Sequence, residues 1–312
     1  MTEMKYHKPV LLRESVDGLA IREDGTYVDV TFGGGGHSRE ILGRLGPKGR
    51  LIAFDQDEEA LANKPEDERF LLIGENFRYI RQFLKFYGIL KVDGILADFG
   101  VSSHQFDRAE RGFSTRFDAG LDMRMSRRAE ITARDVVNTY SFEKLRSVLQ
   151  RYGELRSAGK IAGELVRARD KASIQTTYGL NEAVSAFLPR GKENKVLARI
   201  YQAIQMEVNQ ELAALEAFLQ QTAALLPTGG RLSLISYHSL EDRLVKRFIR
   251  TGKFEGEVDK DFYGNPLAPF RKVGKLIVPG DDELEENPRA RSAKLRIAER
   301  TDIETTDTRS VN

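Results

Sequence analysis

The sequence predicts an α/β fold: a doubly wound parallel sheet that carries an inserted, mostly helical domain. Three observations predict it. Apolar β-rich runs alternate with helical stretches through the first hundred residues, the alternation stops after residue 104, and a Gly-Gly turn followed by an apolar strand resumes it near residue 230. The runs TYVDVTF (26–32), GRLIAFD (49–55), RFLLIG (69–74) and VDGILADF (92–99) are the first four strands. They are apolar at consecutive positions, as strands covered by helices on both faces must be. Helical spacing fills the gaps at about 36–45, 57–63 and 76–88, so each strand–helix–strand unit is a parallel βαβ step.

Beyond residue 104 the stretch SSHQFDRAERGFSTRFDAGLDMRM is polar and Arg-rich, with no clean period. From SFEKLRSVLQRYG (141–153) to about residue 190 the chain reads as successive helices, with Phe142, Leu145, Leu149 and Tyr152 on one face. A long helical run, RIYQAIQMEVNQELAALEAFLQQTAALL (199–226), then leads through PTGG into the apolar strand RLSLISYHS (231–239). The α/β domain is therefore discontinuous, residues 1–104 and 196–312, with 105–195 inserted. The last dozen residues, TDIETTDTRSVN, are polar and expected to be disordered.

At 312 residues, 40% apolar and 31% charged, the chain has the length and balance of an ordinary globular protein with room for two domains. No run approaches the roughly 20 apolar residues of a membrane span. The start MTEMKYHKPVLL lacks the basic beginning and apolar core of an export signal, so a cytoplasmic location and no membrane partner are expected. The absence of Cys removes disulfides, thiolate metal sites and any Cys nucleophile, including the route that methylates a pyrimidine ring carbon. Four His leave little for a His-rich metal site, and none is expected. With a net charge of only +2, nucleic-acid binding would need local patches.

The first chemistry-bearing stretch is YVDVTFGGGGHSREIL, where Gly33, Gly34, Gly35 and Gly36 join a strand to a helix. A P-loop would need Lys and Ser/Thr directly after the glycines, but His37, Ser38 and Arg39 follow. A dinucleotide fingerprint is incomplete, since its last Gly falls on Ser38 or Arg39. An acidic residue, Asp55, ends the next strand about 20 residues on, where a carboxylate meets ribose hydroxyls. Both nicotinamide dinucleotides and S-adenosylmethionine (SAM) present such a ribose. For SAM, Asp29 adds an acceptor near the amino-acid end, and the glycines let the backbone approach without a phosphate. His37 is either a ligand contact or a packing residue of the first helical turn.

The fourth strand ends in Asp98, followed by Phe99, Gly100, Val101 and two serines. Ligands of open α/β sheets sit at the carboxyl ends of the strands near the switch point, so Asp98 should face the crevice of the glycines and Asp55. Amino-group methyltransferases place a short acidic or Ser-led motif here. The exocyclic amine of a base is a poor nucleophile because its lone pair is delocalised into the ring. Acceptors for its N–H groups localise that pair and aim it at a methyl group. A turn-capping Asp98 is the alternative.

HKPVLLRE (7–14), YVDVTFGGGGHS (27–38), ADFGVSSHQFDRAERGF (97–113), LDMRM (121–125), ISYHSLEDRLVKRF (235–248) and ENPRARSAKLRIAER (286–300) resemble the ribosomal RNA small-subunit methyltransferase H family, also called MraW. The similarity runs to about residue 300. It implies SAM-dependent methylation of the N4 amine of a cytidine in the decoding region of 16S rRNA, with the small ribosomal subunit as partner. It implies a Rossmann-like SAM-binding domain with a helical insertion for substrate recognition, and it allows a homodimer. By the same resemblance Gly35, Gly36, His37, Asp55, Phe77, Asp98 and Gln105 contact SAM. Gly34 stands where some members carry Arg, and Phe99 and Tyr237 where Leu and Phe occur.

In SYHSLEDRLVKRFIR (236–250), Leu244, Val245, Phe248 and Ile249 form one stripe, leaving Arg243, Lys246, Arg247 and Arg250 for an RNA backbone or for solvent. His238 and Ser239 sit at the expected end of a strand, which makes His238 a candidate catalytic base alongside Asp98. The Arg-rich stretches 108–128 and 289–296 read as phosphate contacts, a substrate lid or internal salt bridges. The competing functions are a DNA amino-methyltransferase, a nicotinamide oxidoreductase and a non-catalytic RNA-binding assembly protein that keeps a SAM pocket.

Overall fold

The computed structural model describes residues 9–303. His7 and Lys8 of the first motif, and residues 304–312 of the polar tail, lie outside the described residues. The chain divides into two compact units, residues 1–100 with 212–312, and residues 101–211.

The first unit is built on seven strands: β1 (Thr26–Asp29), β2 (Arg50–Phe54), β3 (Phe70–Ile73), β4 (Gly94–Asp98), β5 (Arg231–Ser236), β6 (Phe270–Ile277) and β7 (Lys294–Arg300). They lie in the order β3-β2-β1-β4-β5-β7-β6. β1 to β5 are mutually parallel, and β7 runs antiparallel to both β5 and β6. The sheet is thus mixed, where the sequence pattern showed only parallel strands. The reason is β6, an edge strand with Arg271, Lys272 and Lys275 exposed and therefore without an apolar run to detect.

Side chains alternate between two covered faces, as the period of a strand requires. Tyr27, Leu51, Ala53, Phe70 and Leu96 face α1 (Leu12–Asp17), α2 (Gly36–Arg44) and α3 (Glu58–Leu61). Val28, Ile52, Phe54, Ile73, Ile95, Leu232 and Leu234 face α4 (Ile80–Phe86), α11 (Glu211–Leu225) and α12 (Ser239–Thr251). Successive strands move one way from β1 through β2 to β3, and the other way from β4 to β5. The switch point therefore lies between the ends of β1 and β4, where a ligand crevice opens. A short α13 (Asp281–Glu286) precedes β7.

The second unit contains α5 (Ser103–Asp107), α6 (Ala133–Thr139), α7 (Phe142–Arg151), α8 (Ala158–Lys171), α9 (Thr177–Val184) and α10 (Glu193–Asn209). Val136, Val137, Leu145, Ile161, Leu165, Leu180, Ile200 and Ile204 form its core. Val148 completes the buried face of α7, whereas Phe142 is exposed at its edge. The helical run expected over 199–226 breaks at Gln210, which adopts a left-handed φ of 48°. α10 buries Leu197, Ile200 and Val208 in the inserted unit, while α11 sends Leu215, Phe218 and Leu219 into the sheet core. The second crossing between units therefore falls at 211/212 rather than 195/196.

The Arg-rich stretch after residue 107 is anchored rather than loose. Phe113, Leu121, Met123 and Met125 enter the core of the inserted unit, and buried Arg111 donates to the carbonyls of Arg124 and Met125, both at 2.9 Å. Arg124 forms a two-pronged pair with Asp122 at 2.7 and 2.9 Å. No described helix is long and apolar enough to cross a membrane.

Candidate active site

Three carboxylates stand at the carboxyl ends of neighbouring strands: Asp29 closes β1, Asp55 follows β2 and Asp98 closes β4. Between them runs the glycine loop, with Gly33 at φ 52° and Gly35 at φ 75°. Side chains rarely tolerate that region, so glycine is required there. A Cβ on Gly35 would come within 2.9 Å of the Phe32 ring, and one on Gly36 would run into the Pro9 ring. Gly33 faces open space. The Gly34 carbonyl accepts from Arg39 Nη2 at 2.5 Å.

Asp55 braces this loop. Its carboxylate accepts the Gly33 N–H at 2.7 Å and the Asp57 N–H at 2.8 Å, and Asn63 Nδ2 donates to the Gly33 carbonyl at 3.1 Å. Burial pushes the Asp55 carboxyl up to about 6 against those two backbone bonds. Asp29 is fully buried and accepts from Thr31 N–H at 3.1 Å and from the Ser38 hydroxyl at 2.7 Å. It staples β1 to the start of α2, and burial raises it to about 6 as well.

Asp98 differs from the other two. Burial pushes it up to about 6, opposed by the nearby His37 and by a hydrogen bond from the Tyr237 hydroxyl. Its backbone N–H donates to Thr31 Oγ1 at 2.6 Å. Its Oδ1 is enclosed and has no hydrogen-bond partner among the described residues. An enclosed carboxylate oxygen without a donor is costly, and such exceptions cluster where a ligand completes the set. Tyr237 is held well above the ordinary phenol range by burial and by Asp98, so it stays protonated as the donor.

His37 lies in the first turn of α2, buried, with Nε2 3.1 Å from the Val10 carbonyl. Burial lowers its pKa, and a neutral ring donating from Nε2 fits both facts. Phe77 follows β3 in a short 3₁₀ turn, capped by Asn76. Its ring packs edge-on against Phe99 at 5.8 Å and Phe218 at 5.5 Å, which fixes an aromatic wall beside the end of β4. Gln105 lies in the inserted unit, where it exchanges hydrogen bonds with Ser102 at 3.2 Å.

His238 departs from its expected setting. β5 ends at Ser236, and His238 is the N-cap of α12: its Nδ1 accepts the Leu240 N–H at 3.2 Å. The buried Glu241 completes a capping box by accepting the N–H groups of Tyr237 and His238 at 3.2 and 3.0 Å. One imidazole nitrogen is therefore committed to the backbone. Lys294 and Arg296 of the C-terminal basic cluster pair with Asp242 of α12, at 3.3 and 2.7 Å. Thr31, Ser38, Asn63 and Tyr237 were not singled out as site residues in the sequence. Of these only Tyr237 had a signal, an aromatic directly after an apolar strand that ends at the crevice.

Three carboxylates thus gather at the strand ends beside the switch point. That arrangement suits ribose hydroxyls and a cation, and it repels a pyrophosphate, which weighs against a dinucleotide. Among the described residues no group of three or more His, Asp or Glu side chains is placed to hold a metal ion.

The sequence pattern of the MraW methylase family matches residues 4–301. The chain belongs to that family. It is 61% identical over 298 residues to the ribosomal RNA small subunit methyltransferase H of Christiangramia forsetii, covering 96% of this chain and 99% of that one. The protein of the same name from Bacteroides thetaiotaomicron is 54% identical, covering 96% and 98%. A solved rRNA methylase from Streptococcus thermophilus shares 11% identity over 93% of this chain and 96% of its own, with a TM-score of 0.42, too distant to bear on function.

Proposed function

We propose that this MraW-family enzyme methylates the N4 amine of a cytidine in the decoding region of 16S rRNA, using SAM. The observation that carries the reading is the gathering of three carboxylates at the strand ends, with an Asp98 oxygen that has no hydrogen-bond partner among the described residues. The residues present fit SAM. Gly33 to Gly36 bring backbone close, Asp55 serves the ribose hydroxyls, Phe77 serves the adenine, and His37 adds a contact to the same ligand. When bound, SAM supplies an electrophilic methyl group on a positively charged sulfur.

Asp98 receives the acceptor amine. Its free oxygen takes an N–H of the cytidine N4, which localises the nitrogen lone pair and sets its direction. The cytidine has to be unstacked for this, because a paired base offers no path to its amine. Asp98 is ionised at neutral pH, since its pKa of about 6 lies below 7. It can therefore also accept the proton that the amine loses once the new bond forms. Tyr237 keeps Asp98 oriented by donating to it. His238 contributes through the start of α12. The inserted unit, residues 101–211, serves substrate recognition, and the cytoplasm is where the enzyme meets its ribosomal substrate. Every group named for the reaction belongs to one chain, so a homodimer would not be needed to complete it.

Transfer from labelled SAM to unmodified small ribosomal subunits, followed by digestion to nucleosides, tests this reading. Label in N4-methylcytidine is expected. Label in another nucleoside would move the acceptor and remove Asp98 from its role. No transfer to any RNA, with SAM bound, would favour an assembly protein that keeps the pocket.

A further inference from the structure

Two neighbouring aromatic residues of the first unit stand almost entirely in solvent: Phe262 is 97% exposed and Tyr263 is 86% exposed. Single exposed apolar residues are ordinary, but an adjacent aromatic pair on a built turn is not. The turn lies between α12 and β6, closed by pairing of Lys260 with Pro266 and by the Leu267 N–H on the Asp259 carbonyl at 2.7 Å. Asp261 holds the tip from within. Its Oδ1 accepts the N–H groups of Tyr263 and Asn265 at 2.9 and 2.8 Å, and its Oδ2 accepts from Asn265 Nδ2 at 2.8 Å. Gly264 supplies the left-handed residue the turn needs, at φ 85°. The two rings meet edge-on, 5.6 Å apart and at 86°. None of the described residues covers them, and the backbone beneath is fixed, so little order remains to be lost on binding.

The surroundings indicate the occupant. Residues 243–275 hold nine Lys and Arg against four Asp and Glu, a net of +5, whereas the whole chain carries only +2. Lys253 and Asp259 are paired with each other at 2.6 Å, Arg271 is paired with Glu299 outside the stretch, and Asp261 keeps its charge while it holds the turn. Lys246, Lys260, Lys272 and Lys275 are exposed. Open ring faces amid surplus cations match a ligand with flat π faces on a polyanionic backbone. A protein partner would call for a broader apolar patch around the pair, and the exposed neighbours Lys260, Lys272 and Lys275 are charged.

We infer that the Phe262–Tyr263 tip is a stacking platform for unpaired nucleotides of the RNA substrate, with the exposed Lys246, Lys260, Lys272 and Lys275 on the phosphates. This rests on the RNA-methyltransferase reading and adds a contact away from the carboxylate crevice. Unpaired bases are the part of RNA that proteins read by stacking.

The chain contains no Trp, so Phe262→Trp places a single indole fluorophore at the tip. Titration with a single-stranded oligoribonucleotide should quench it, and inorganic polyphosphate, a polyanion without bases, should not. Equal response to both, or to neither, would overturn the inference, as would concentration-dependent quenching without RNA, which means self-association. In turnover assays the Phe262→Ala/Tyr263→Ala pair should raise KM for small ribosomal subunits about tenfold or more. Turnover at saturation and SAM affinity should be unchanged, and an unaltered KM would refute the platform. If the wild-type enzyme methylates no RNA, the proposed reaction fails while the fluorescence titration still decides whether the tip stacks on bases.

Discussion

Replacing Tyr237 by Phe removes one hydroxyl from the crevice and leaves the ring in place. That hydroxyl donates to the Asp98 carboxyl, whose Oδ1 has no hydrogen-bond partner among the described residues. A hydrogen bond to a charged group contributes about 1.5–3 kcal/mol, while one to a neutral group contributes about 1 kcal/mol. The substitution therefore penalises the ionised carboxylate more than the protonated acid, by about 1–2 kcal/mol. Each 1.36 kcal/mol of that difference is about one pH unit. The acidic limb of kcat/KM against pH, set near 6 by Asp98 in the wild type, should move up by about one pH unit in Tyr237→Phe. Activity at pH 8.5 should stay close to wild type while activity at pH 6.5 falls several-fold. Denaturant unfolding supplies a second readout, because the variant's loss of stability should be larger at pH 8 than at pH 5. An unshifted limb, with equal loss at both pH values, would show that the hydroxyl is only structural and that Asp98 does not govern the profile.

Asp98→Ala should lower turnover even at saturating SAM, and normal turnover in single-turnover assays would remove Asp98 from amine placement. Asp55→Ala should weaken SAM binding by about 1.5–3 kcal/mol, measured by titration calorimetry, with unchanged affinity counting against the ribose contact. Asp29, Asp55 and Asp98 all sit near 6 in the folded chain, against about 3.9 for an unfolded Asp. A raised acid favours folding fully at low pH, and that contribution is lost as pH rises through about 6. Buried Glu241 acts in the same sense, whereas His37, lowered by burial, opposes them. The unliganded protein should accordingly be more stable at pH 5.5 than at 7.5 in denaturant titrations. SAM, a cation at sulfur, should bind more weakly at pH 5.5, where these carboxylates lose their charge.

The parts legible in the sequence are those where one residue type is needed for one physical reason. Gly33, Gly35 and Gly36 announced a close backbone approach, and two of them adopt φ values that favour glycine while the third abuts Pro9. The stripe of α12 was equally plain, with Val245, Phe248 and Ile249 buried and Arg243, Lys246 and Arg250 exposed. Other features depended on context that periodicity does not carry. Tyr237 and His238 still fit a strand pattern, so the sequence carries the strand to 239, whereas β5 ends at Ser236 and His238 caps α12. The helical period continues across Gln210, although the two sides of that break belong to different cores. β6 alternates too few apolar residues with its exposed Arg271, Lys272 and Lys275 to show as a strand, so the antiparallel pairing at that edge is not legible. The tip at Phe262 and Tyr263 has no period and no motif in the sequence, because its order comes from Asp261 bonding within the turn.

The pairing of β4 with β5 has a consequence for how the molecule assembles. Gly94 lies beside Arg231, and the register continues to Asp98 beside Ile235, so two adjacent central strands are separated by more than a hundred residues of chain. Closing a flexible segment of that length costs about 4 kcal/mol in chain entropy, and it delays the step, because distant pairings form late. During synthesis β3, β2, β1 and β4 emerge first, leaving the long edge of β4 unpaired until residues 231–236 arrive. Tyr237 arrives with them. A chain interrupted before that point would keep every glycine and every carboxylate of the crevice, yet would expose an open strand edge and leave Asp98 unsupported. Folding of the inserted unit, which lies between the two strands in sequence, is thus placed to control when the chemistry becomes available.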